Sequence, residues 1–342
     1  MIPTPLDLMG APGSPYTRKM LALLRYRRIP YRFAIQGSRE VADRPQAKVA
    51  LLPTFFLPGE DGTVEAVTDS TPLIRRFEAA FPERPVVPPD PVMAFVDELL
   101  EDFGDEWLTK AMFHYRWTYE ADIEKASAVL PLWRDVRLSE EGHIAFKAGI
   151  AERQIERLRV VGSNPTTLPV IEASYRRILG LLDAHVRGQS FLMGDRPGSS
   201  DFAFHGQLTA LAGFDPTPAA ITLAASPRVY SWVDRNEDLS GMEPRESDWI
   251  ASDAVPESLR ELLGEVGRVY APFLLANSAA LASGTPEVTT TIDGAPWVQA
   301  PFPYQGKCLA WLRASYTALE PTAREGVDRI LAGTGCEVLF AA

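Results

Sequence analysis

The pattern of apolar and polar positions in the first third of the chain alternates between strand-like and helix-like segments. The apolar run "LDLMG" at residues 6–10 predicts a buried strand. Residues 18–28 carry apolar side chains at helical spacing among basic ones, and Pro30 ends this predicted helix. "YRFAIQ" at 31–36 alternates with period two, as a half-buried strand does. The order so far predicts a β-α-β unit.

The next segments predict two more strands and a helix. "PTFFLPGEDGTVEAVTD" indicates two strands joined by a turn at Glu60-Asp61-Gly62, because glycine accepts positive φ without steric cost. "DSTPLIRRFEAAFP" predicts a helix that Asp69 or Ser70 caps and that carries a proline in its first turn. Residues 1–86 are therefore expected to form a small mixed sheet flanked by helices.

The chain becomes almost entirely helical after the proline-dense stretch 82–91, which we interpret as a linker. Apolar residues recur every three or four positions from Val92 to Tyr115, with acidic residues between them, so the pattern predicts one long helix with a core face and an acidic face. Further helices are predicted at about 119–130, 143–160, 166–187, 201–212 and 226–236.

The pattern of the last hundred residues indicates a distinct part of the chain. Residues 256–282 are helix-like, "VTTTIDGAPWVQ" is β-rich around an Asp-Gly turn, and 304–319 and 321–333 predict two short helices. The predicted organisation is therefore a domain at 1–86, a helical domain at 92–239 and a mostly helical C-terminal extension at 240–342. We expect the extension to pack against the helical domain.

Composition narrows the classes of function. The 342 residues are 46% hydrophobic and 23% charged with a net charge of −11, and no basic block predicts a nucleic-acid partner. No apolar run approaches the length of a membrane helix, the N-terminus does not resemble a secretory signal, and only two cysteines occur, which together favour a cytoplasmic protein without a membrane partner. The four histidines are scattered, so no metal site is expected.

Three short motifs in the first domain carry the candidate chemistry. They are "GSPYTRKM" with Ser14 at a strand-to-helix turn, "LLPTFFL" with Pro53 at a strand start, and "TDSTPLIRRF" with Asp69 and Ser70 at a helix start. Taken alone, Ser14 is a good helix cap, Pro53 an ordinary strand-start proline, and Asp69-Ser70 a second cap. In this order and spacing, over roughly residues 5–236, the chain resembles a serine-type bacterial member of the glutathione transferase superfamily.

The resemblance implies a fold and a co-substrate. The fold is a thioredoxin-like α/β N-terminal domain followed by an all-α C-terminal domain, here with an extra extension, and the co-substrate is glutathione. A free thiol has a pKa of about 8.5, and lowering it by two units needs about 2.7 kcal/mol. By resemblance, Ser14 donates a hydrogen bond to the thiolate, and the helix that follows adds its positive end.

The resemblance also implies which residues hold the tripeptide. Leu52, before a cis Pro53, would pair with the cysteinyl backbone, and Asp69 and Ser70 would hold the γ-glutamyl end. The family often has Lys or Gln two residues before the cis proline, facing the glycyl carboxylate. Leu51 stands there in this chain, and Lys48 is the nearest basic residue.

The second substrate is less well defined by the sequence. The resemblance implies a hydrophobic electrophile bound near Tyr16 and the aromatic helix, with Trp107, Phe113, His114 and Trp117 as candidates. Packing in the helical core is the favoured alternative for that aromatic stripe. Cys308 and Cys336 are expected to be buried small residues. Gly198 stands three residues before Asp201, where the family usually has a Ser or Thr cap.

The expected function is a glutathione transferase that conjugates glutathione thiolate to a hydrophobic electrophile, in the manner of detoxification enzymes. Homodimerisation follows from the resemblance alone. A glutathione-dependent isomerase or ether-cleaving enzyme is the first alternative, and serine at position 14 is compatible with both. A non-catalytic binding protein of the same fold is the second alternative, which Leu51 and the long extension keep open.

Overall fold

The computed structural model describes residues 2–59 and 62–341. The first domain has a four-stranded sheet in the order β2-β1-β3-β4, with β1 parallel to β2 and β3 antiparallel to both β1 and β4. The elements are β1 Leu6–Gly10, α1 Pro15–Tyr26, β2 Tyr31–Ile35, β3 Thr54–Pro58, β4 Val64–Val67 and α2 Ser70–Ala80. The predicted mixed sheet flanked by helices is confirmed. Two residues of the predicted turn, Glu60 and Asp61, lie outside the described residues.

The first domain has its own apolar core between the sheet and its two helices. Met20 and Leu23 of α1 are fully buried, as are Phe55 of β3 and Phe77 of α2. The Phe55 and Phe77 rings meet edge to face with centroids 5.3 Å apart, an arrangement that aromatic quadrupoles favour. Phe202 from the helical part joins this core, so the two parts pack directly against each other.

The helical part contains nine helices after the linker within the described residues. They are α3 Pro91–Glu106, α4 Leu108–Thr118, α5 Glu120–Arg134, α6 Glu140–Glu156, α7 Leu158–Val161, α8 Leu168–His185, α9 Ser199–Leu208, α10 Pro216–Ala225 and α11 Pro227–Arg235. The predicted fold class, a thioredoxin-like domain followed by a helical domain, is confirmed. The single helix predicted over 92–115 was wrong, because the chain breaks at Trp107 into α3 and α4.

The extension consists of helices and one hairpin. It contains α12 Glu257–Glu265, α13 Ala271–Ser283, β5 Val288–Ile292, β6 Ala295–Gln299, α14 Pro303–Ala318 and α15 Pro321–Leu331. The hairpin turns at Asp293-Gly294, both with positive φ, as its Asp-Gly signal predicts. Trp297 packs against Trp107 with ring centroids 5.4 Å apart, and the extension shares one apolar core with the helical part. The boundary at residue 240 stays a prediction.

The acidic face of α3 does not face solvent. Asp97, Glu101, Asp105 and Glu106 are all buried, between α1 and α9 on one side and the extension on the other. The acidic face is therefore covered by other parts of the protein, which the pattern of the helix itself did not predict. Among the described residues, no helix is both long and apolar enough to cross a membrane.

Candidate functional site

The sheet topology brings the three predicted motifs to one edge of the first domain. β1 ends at Gly10 and leads into the Ser14 turn, while Met9 pairs with Thr54, the residue after Pro53. β4 pairs with β3 through Val67 and Phe55, so Asp69 follows at the same edge. Adjacent strands lie about 4.8 Å apart, so β1, β3 and β4 deliver all three motifs to one cleft.

Ser14 caps α1 and keeps its hydroxyl hydrogen available. Its Oγ accepts a hydrogen bond from the backbone N–H of Thr17 at 3.2 Å, as a helix N-cap does. A serine hydroxyl has one hydrogen and two lone pairs, and the cap uses one lone pair. Ser14 is half-buried, and its hydroxyl donates to no acceptor within 2–59 and 62–341. Capping and donation to a ligand are therefore compatible at this residue.

Two guanidinium groups hold the loop in front of Ser14. Arg18 Nε donates to the carbonyl oxygen of Pro12 at 2.9 Å, and Arg116 Nη1 donates to that of Gly13 at 3.2 Å. The buried Arg116 is itself fixed by Asp215, with nitrogen–oxygen distances of 3.0 Å. Arg18 Nη1 also lies 3.3 Å from Glu237 Oε1, so both guanidinium charges are paired, and their part here is to fix the carbonyl groups of the loop. Sequence reasoning missed Arg116, because it lies 103 residues from Gly13 and no local pattern marks it.

The predicted strand-pairing motif has the expected backbone isomer. The Leu52–Pro53 peptide bond is cis, as predicted. Leu52 is half-buried, and Thr54 Oγ1 donates to the Leu51 carbonyl oxygen at 2.8 Å. Leu51 itself is 45% exposed, and Lys48 is exposed as well. The role of Lys48 at the glycyl end of a tripeptide stays a prediction.

Asp69 has an unusual backbone and an unexpected partner. Its φ is +81°, in the region that non-glycine residues seldom adopt and that concentrates at functional sites. It precedes α2, yet its carboxylate makes no capping hydrogen bond to that helix. Instead, Oδ2 accepts a hydrogen bond from the hydroxyl of Tyr304 at 2.8 Å, from the extension. The Asp69 carboxylate is therefore oriented by a residue 235 positions away.

The Ser70 hydroxyl accepts a hydrogen bond from a buried lysine. Lys19 Nζ donates to Ser70 Oγ at 3.1 Å, to Glu101 Oε1 at 2.8 Å and to Asp105 Oδ2 at 2.5 Å. Burial lowers the pKa of Lys19, but the carboxylates of Asp105 and Glu101 outweigh this effect and raise it. Lys19 thus stays charged beneath the N-terminus of α2, where a cation and a helix dipole both favour a ligand carboxylate.

Glu101 connects the two domains at this point. It accepts hydrogen bonds from Thr71 at 3.0 Å and Arg75 at 3.2 Å in the first domain, and from Ser199 at 3.0 Å in the helical domain. Burial raises the pKa of Glu101, but Lys19 and Arg75 overcome this effect and lower it to about 2. An ionised carboxylate with this many donors is adequately compensated for its burial.

Gly198 stands where a Ser or Thr cap was expected, and the structure explains why a glycine fits at this position. The Asp97 carboxylate sits at the N-terminus of α9 and accepts hydrogen bonds from the backbone and side chains of Ser199 and Ser200, at 2.6 to 3.1 Å. A Cβ on residue 198 would lie 2.4 Å from Asp97 Oδ1. Asp97 therefore replaces the capping side chain, while Asp201 Oδ2 still accepts from the Gly198 N–H at 2.8 Å.

The predicted electrophile-pocket residues are placed differently from one another. Trp107 and Trp117 are buried in the helical core, and the Trp107 indole donates to Ser174 at 2.9 Å. His114 is buried too, with Nδ1 2.8 Å from Ser163 Oγ, and burial lowers its pKa. These surroundings favour the packing alternative for all three.

Tyr16 and Phe113 keep partial exposure. Tyr16 lies two residues beyond Ser14, and its hydroxyl donates to the Asp105 carbonyl oxygen at 2.9 Å. Phe113 is half-buried and packs near Trp117 with ring centroids 6.4 Å apart. Their role in binding an electrophile stays a prediction. Cys308 and Cys336 are free, buried thiols with raised pKa values, as burial dictates.

A separate groove lies away from these motifs. It has a volume of about 570 Å³ and runs between α8, α12 and the loop after α15. Arg177 and Arg268 line it, but both pair with Glu265 and Asp293, so their charges are compensated within the wall. None of the predicted site residues lines this groove.

Comparison with known proteins identifies the first domain. Residues 8–85 match the family model of the glutathione S-transferase N-terminal domain. A search of curated proteins gives no significant match.

Solved structures with detectable similarity are distant. A glutathione transferase family member from Pseudomonas fluorescens Pf-5, solved with two glutathione bound, is 17% identical with a TM-score of 0.43, over 68% of this chain and 92% of that one. A glutathione S-transferase from Rhodospirillum rubrum F11 is 20% identical with a TM-score of 0.41, over 75% and 91%. A Tau class glutathione S-transferase from mango, Mangifera indica, is 17% identical with a TM-score of 0.40, over 75% and 96%.

The family-model match, and not these distant structures, is the basis of the assignment. It spans Ser14, Pro53, Asp69 and Ser70, the residues of all three motifs. Residues 8–85 of this chain therefore form a domain that matches the glutathione S-transferase N-terminal domain family.

Proposed function

We propose that this chain is a glutathione transferase, which binds glutathione at the edge of the first-domain sheet and activates its thiol for attack on a hydrophobic electrophile. The observation that carries the proposal is the state of Ser14: its Oγ accepts from Thr17 N–H at 3.2 Å, which leaves the hydroxyl hydrogen for a ligand. The match of residues 8–85 to the family supports glutathione as that ligand.

In this proposal, the site divides the tripeptide among its motifs. The Asp69 carboxylate takes the α-ammonium of the γ-glutamyl group, while Ser70, backed by Lys19, and the N-terminus of α2 take its carboxylate. The Leu52 backbone pairs with the cysteinyl residue, in the manner of strand addition. Each contact is made to a part of glutathione that does not react, so binding energy is used to position the sulfur.

Chemistry then depends on the thiolate. The Ser14 hydroxyl donates to the sulfur, and the N-terminus of α1 favours its negative charge, while Arg18 and Arg116 hold the Ser14 loop in place. The thiol proton leaves to solvent, and the sulfur lone pair forms a bond to an electrophilic carbon. In substitution, the leaving group departs with the electron pair of its broken bond; in addition, the product carbanion takes a proton.

Replacing Ser14 tests this proposal. A hydrogen bond to a charged group is worth about 1.5–3 kcal/mol, so Ser14→Ala should lower kcat/KM with an aryl halide by roughly 10- to 100-fold. Ser139→Ala is the matched control, because Ser139 also caps a helix, α6, by accepting from Gly142 N–H at 3.1 Å. Each variant loses one cap, worth about 1 kcal/mol, but only the first should lose activity.

Two results would contradict the proposal. Equal kcat/KM in wild type and Ser14→Ala would reject the role of the hydroxyl. Failure of wild type to bind glutathione in calorimetry would favour the non-catalytic alternative, with which the exposed Leu51 is compatible. Isomerisation and ether cleavage remain alternative outcomes of a substrate screen, and light scattering after size exclusion tests the expected homodimer.

A further inference from the structure

The extension reaches the predicted γ-glutamyl subsite through one residue. Tyr304 lies in the first turn of α14, and its hydroxyl donates to Asp69 Oδ2 at 2.8 Å. Both residues are half-buried, so their contact lies beside the cleft and not deep in the core. No other protein segment described here orients the Asp69 carboxylate by a side-chain hydrogen bond.

Tyr304 is held in position by its own surroundings. Its ring packs edge to face with Trp311 at 6.1 Å and lies 6.4 Å from Phe302. Asn277 fixes the start of α14 by donating to the Phe302 carbonyl oxygen at 3.0 Å and accepting from its N–H at 2.8 Å. The adjacent Gln305 donates to Glu106 of α3 at 3.0 Å. The hydroxyl therefore approaches Asp69 from a fixed direction.

The hydrogen bond from Tyr304 orients the carboxylate of Asp69, a residue with an unusual backbone conformation. With φ at +81°, Asp69 does not make the side-chain capping hydrogen bond that orients most residues at a helix start, and the one side chain that donates to its carboxylate is Tyr304, among the described residues. An ammonium-binding carboxylate must be both ionised and correctly directed before the ligand arrives. When the Tyr304 hydroxyl donates to one oxygen of the Asp69 carboxylate, it also fixes the direction in which the second carboxylate oxygen points.

We propose that Tyr304 is a positioning residue for ligand binding: it holds the Asp69 carboxylate, ionised and correctly aimed, for the α-ammonium of the γ-glutamyl group. The inference rests on the proposed function, and it assigns to the extension a part of the glutathione site. It also gives a role to an extension that packs against α3 and brings Tyr304 to Asp69.

Electrostatics around Asp69 agree with this role. Burial raises the pKa of Asp69, whereas the hydrogen bond from Tyr304, the charge of Lys19 and the nearby Thr71 backbone N–H lower it, and Glu101 raises it. Asp105 also faces this group, from α3. Burial and the Asp69 carboxylate raise the pKa of Tyr304, so the phenol stays protonated and donates. Removing the hydroxyl should thus move the ionisation of Asp69 to higher pH.

The test compares Tyr304→Phe with Tyr316→Phe. Tyr316 is also on α14 and donates to an aspartate, Asp328 Oδ1, at 2.7 Å, but this pair is exposed and involves none of the site residues. Glutathione binding is measured by calorimetry across a pH series, together with kcat and KM. For Tyr304→Phe we expect Kd and KM to rise about tenfold at neutral pH, with kcat within about twofold of wild type. The acid limb of its binding profile should shift to higher pH, and Tyr316→Phe should match wild type throughout.

The outcomes are distinguishable. Wild type that binds glutathione, with equal Kd and acid limb in the two variants, overturns this inference and leaves the proposed function intact. Tighter binding by Tyr304→Phe overturns it as well, because Tyr304 would then compete with the ligand for Asp69. Wild type that does not bind glutathione overturns the proposed function and this inference together.

Discussion

Replacing Lys19 tests the buried charge network beneath the candidate site. Lys19→Met removes the cation that contacts Glu101 at 2.8 Å and Asp105 at 2.5 Å, while keeping an unbranched side chain of similar length. Breaking a buried ion pair from one side generally costs about 3–5 kcal/mol. Glu101 keeps Arg75, Thr71 and Ser199 as partners, so most of the cost should arise at Asp105, whose Oδ1 has no hydrogen-bond partner among the described residues.

The size of that cost should depend on pH. Burial and the neighbouring Glu101 raise the pKa of Asp105 to about 6 in the wild type, with Lys19 opposing them. Without Lys19, the folded state should keep Asp105 protonated to higher pH, and the added penalty grows by about 1.4 kcal/mol per unit above the wild-type pKa. The destabilisation should therefore reach about 3 kcal/mol near pH 8 and fall below about 1 kcal/mol near pH 5.5.

Urea unfolding followed by tryptophan fluorescence measures this difference. With a slope of about 3 kcal/mol per molar, a loss of 3 kcal/mol lowers the midpoint by about 1 M. Lys147→Met is the control, because Lys147 pairs with Glu124 on the surface and such pairs contribute little. The double variant Lys19→Met/Asp105→Asn should recover most of the loss. Equal midpoints for Lys19→Met and wild type at pH 8, or no recovery in the double variant, would refute the reasoning.

Two further predictions concern Gly198, which contacts α3, and Glu106, at the end of α3. Gly198→Ala should lower the free energy of unfolding by roughly 1–3 kcal/mol, because its Cβ would meet the Asp97 carboxylate at 2.4 Å. Gly149→Ala, where α6 leaves open space, should be neutral or slightly stabilising. An unfolding free energy of Gly198→Ala equal to that of wild type would contradict this. Burial and neighbouring carboxylates raise the pKa of Glu106 to about 8, so its folded form binds a proton that its unfolded form has released. Unfolding free energy, from urea melts, should thus fall by roughly 1 kcal/mol more from pH 7 to 8 in wild type than in Glu106→Gln, and parallel pH profiles would exclude this.

The local elements of this fold are readable from the sequence because each depends on neighbouring residues. The alternation in 31–35 and the apolar run of β1 predicted strands, and Asp293-Gly294 predicted its hairpin. α10 was not predicted, because Pro216 and Pro218 look like helix breakers in a short segment. Both prolines lie in the first turn of that helix, where the missing N–H has no intrahelical partner.

The acidic stripe of α3 could not be interpreted correctly from local pattern. Charged residues on one face of a helix usually indicate solvent. The donors to Glu101 and Asp97 come from Lys19 and Ser199, which lie 82 and 102 residues away respectively. Periodicity reports which residues share a face, but it contains no information on distant segments that cover that face with matching charges.

The sequence predicts the residues proposed to contact the ligand, but not the residues that hold them in position. Ser14, Pro53, Asp69 and Ser70 follow from motif spacing, and the topology explains why they meet at one sheet edge. Tyr304 and Arg116 were missed, because each orients the site across more than a hundred residues of chain. Such supporting residues are fixed by tertiary packing, which only the folded arrangement reveals.

The pKa of the glutathione thiol in the bound state tests the central claim most directly. Ultraviolet absorbance of the thiolate is titrated with glutathione bound to wild type and to Ser14→Ala, with Ser139→Ala as the capping control. We predict a wild-type value about two units below the 8.5 of a free thiol, and a rise of one unit or more in Ser14→Ala alone. A bound thiol that titrates at the same pH in wild type and Ser14→Ala would contradict the account.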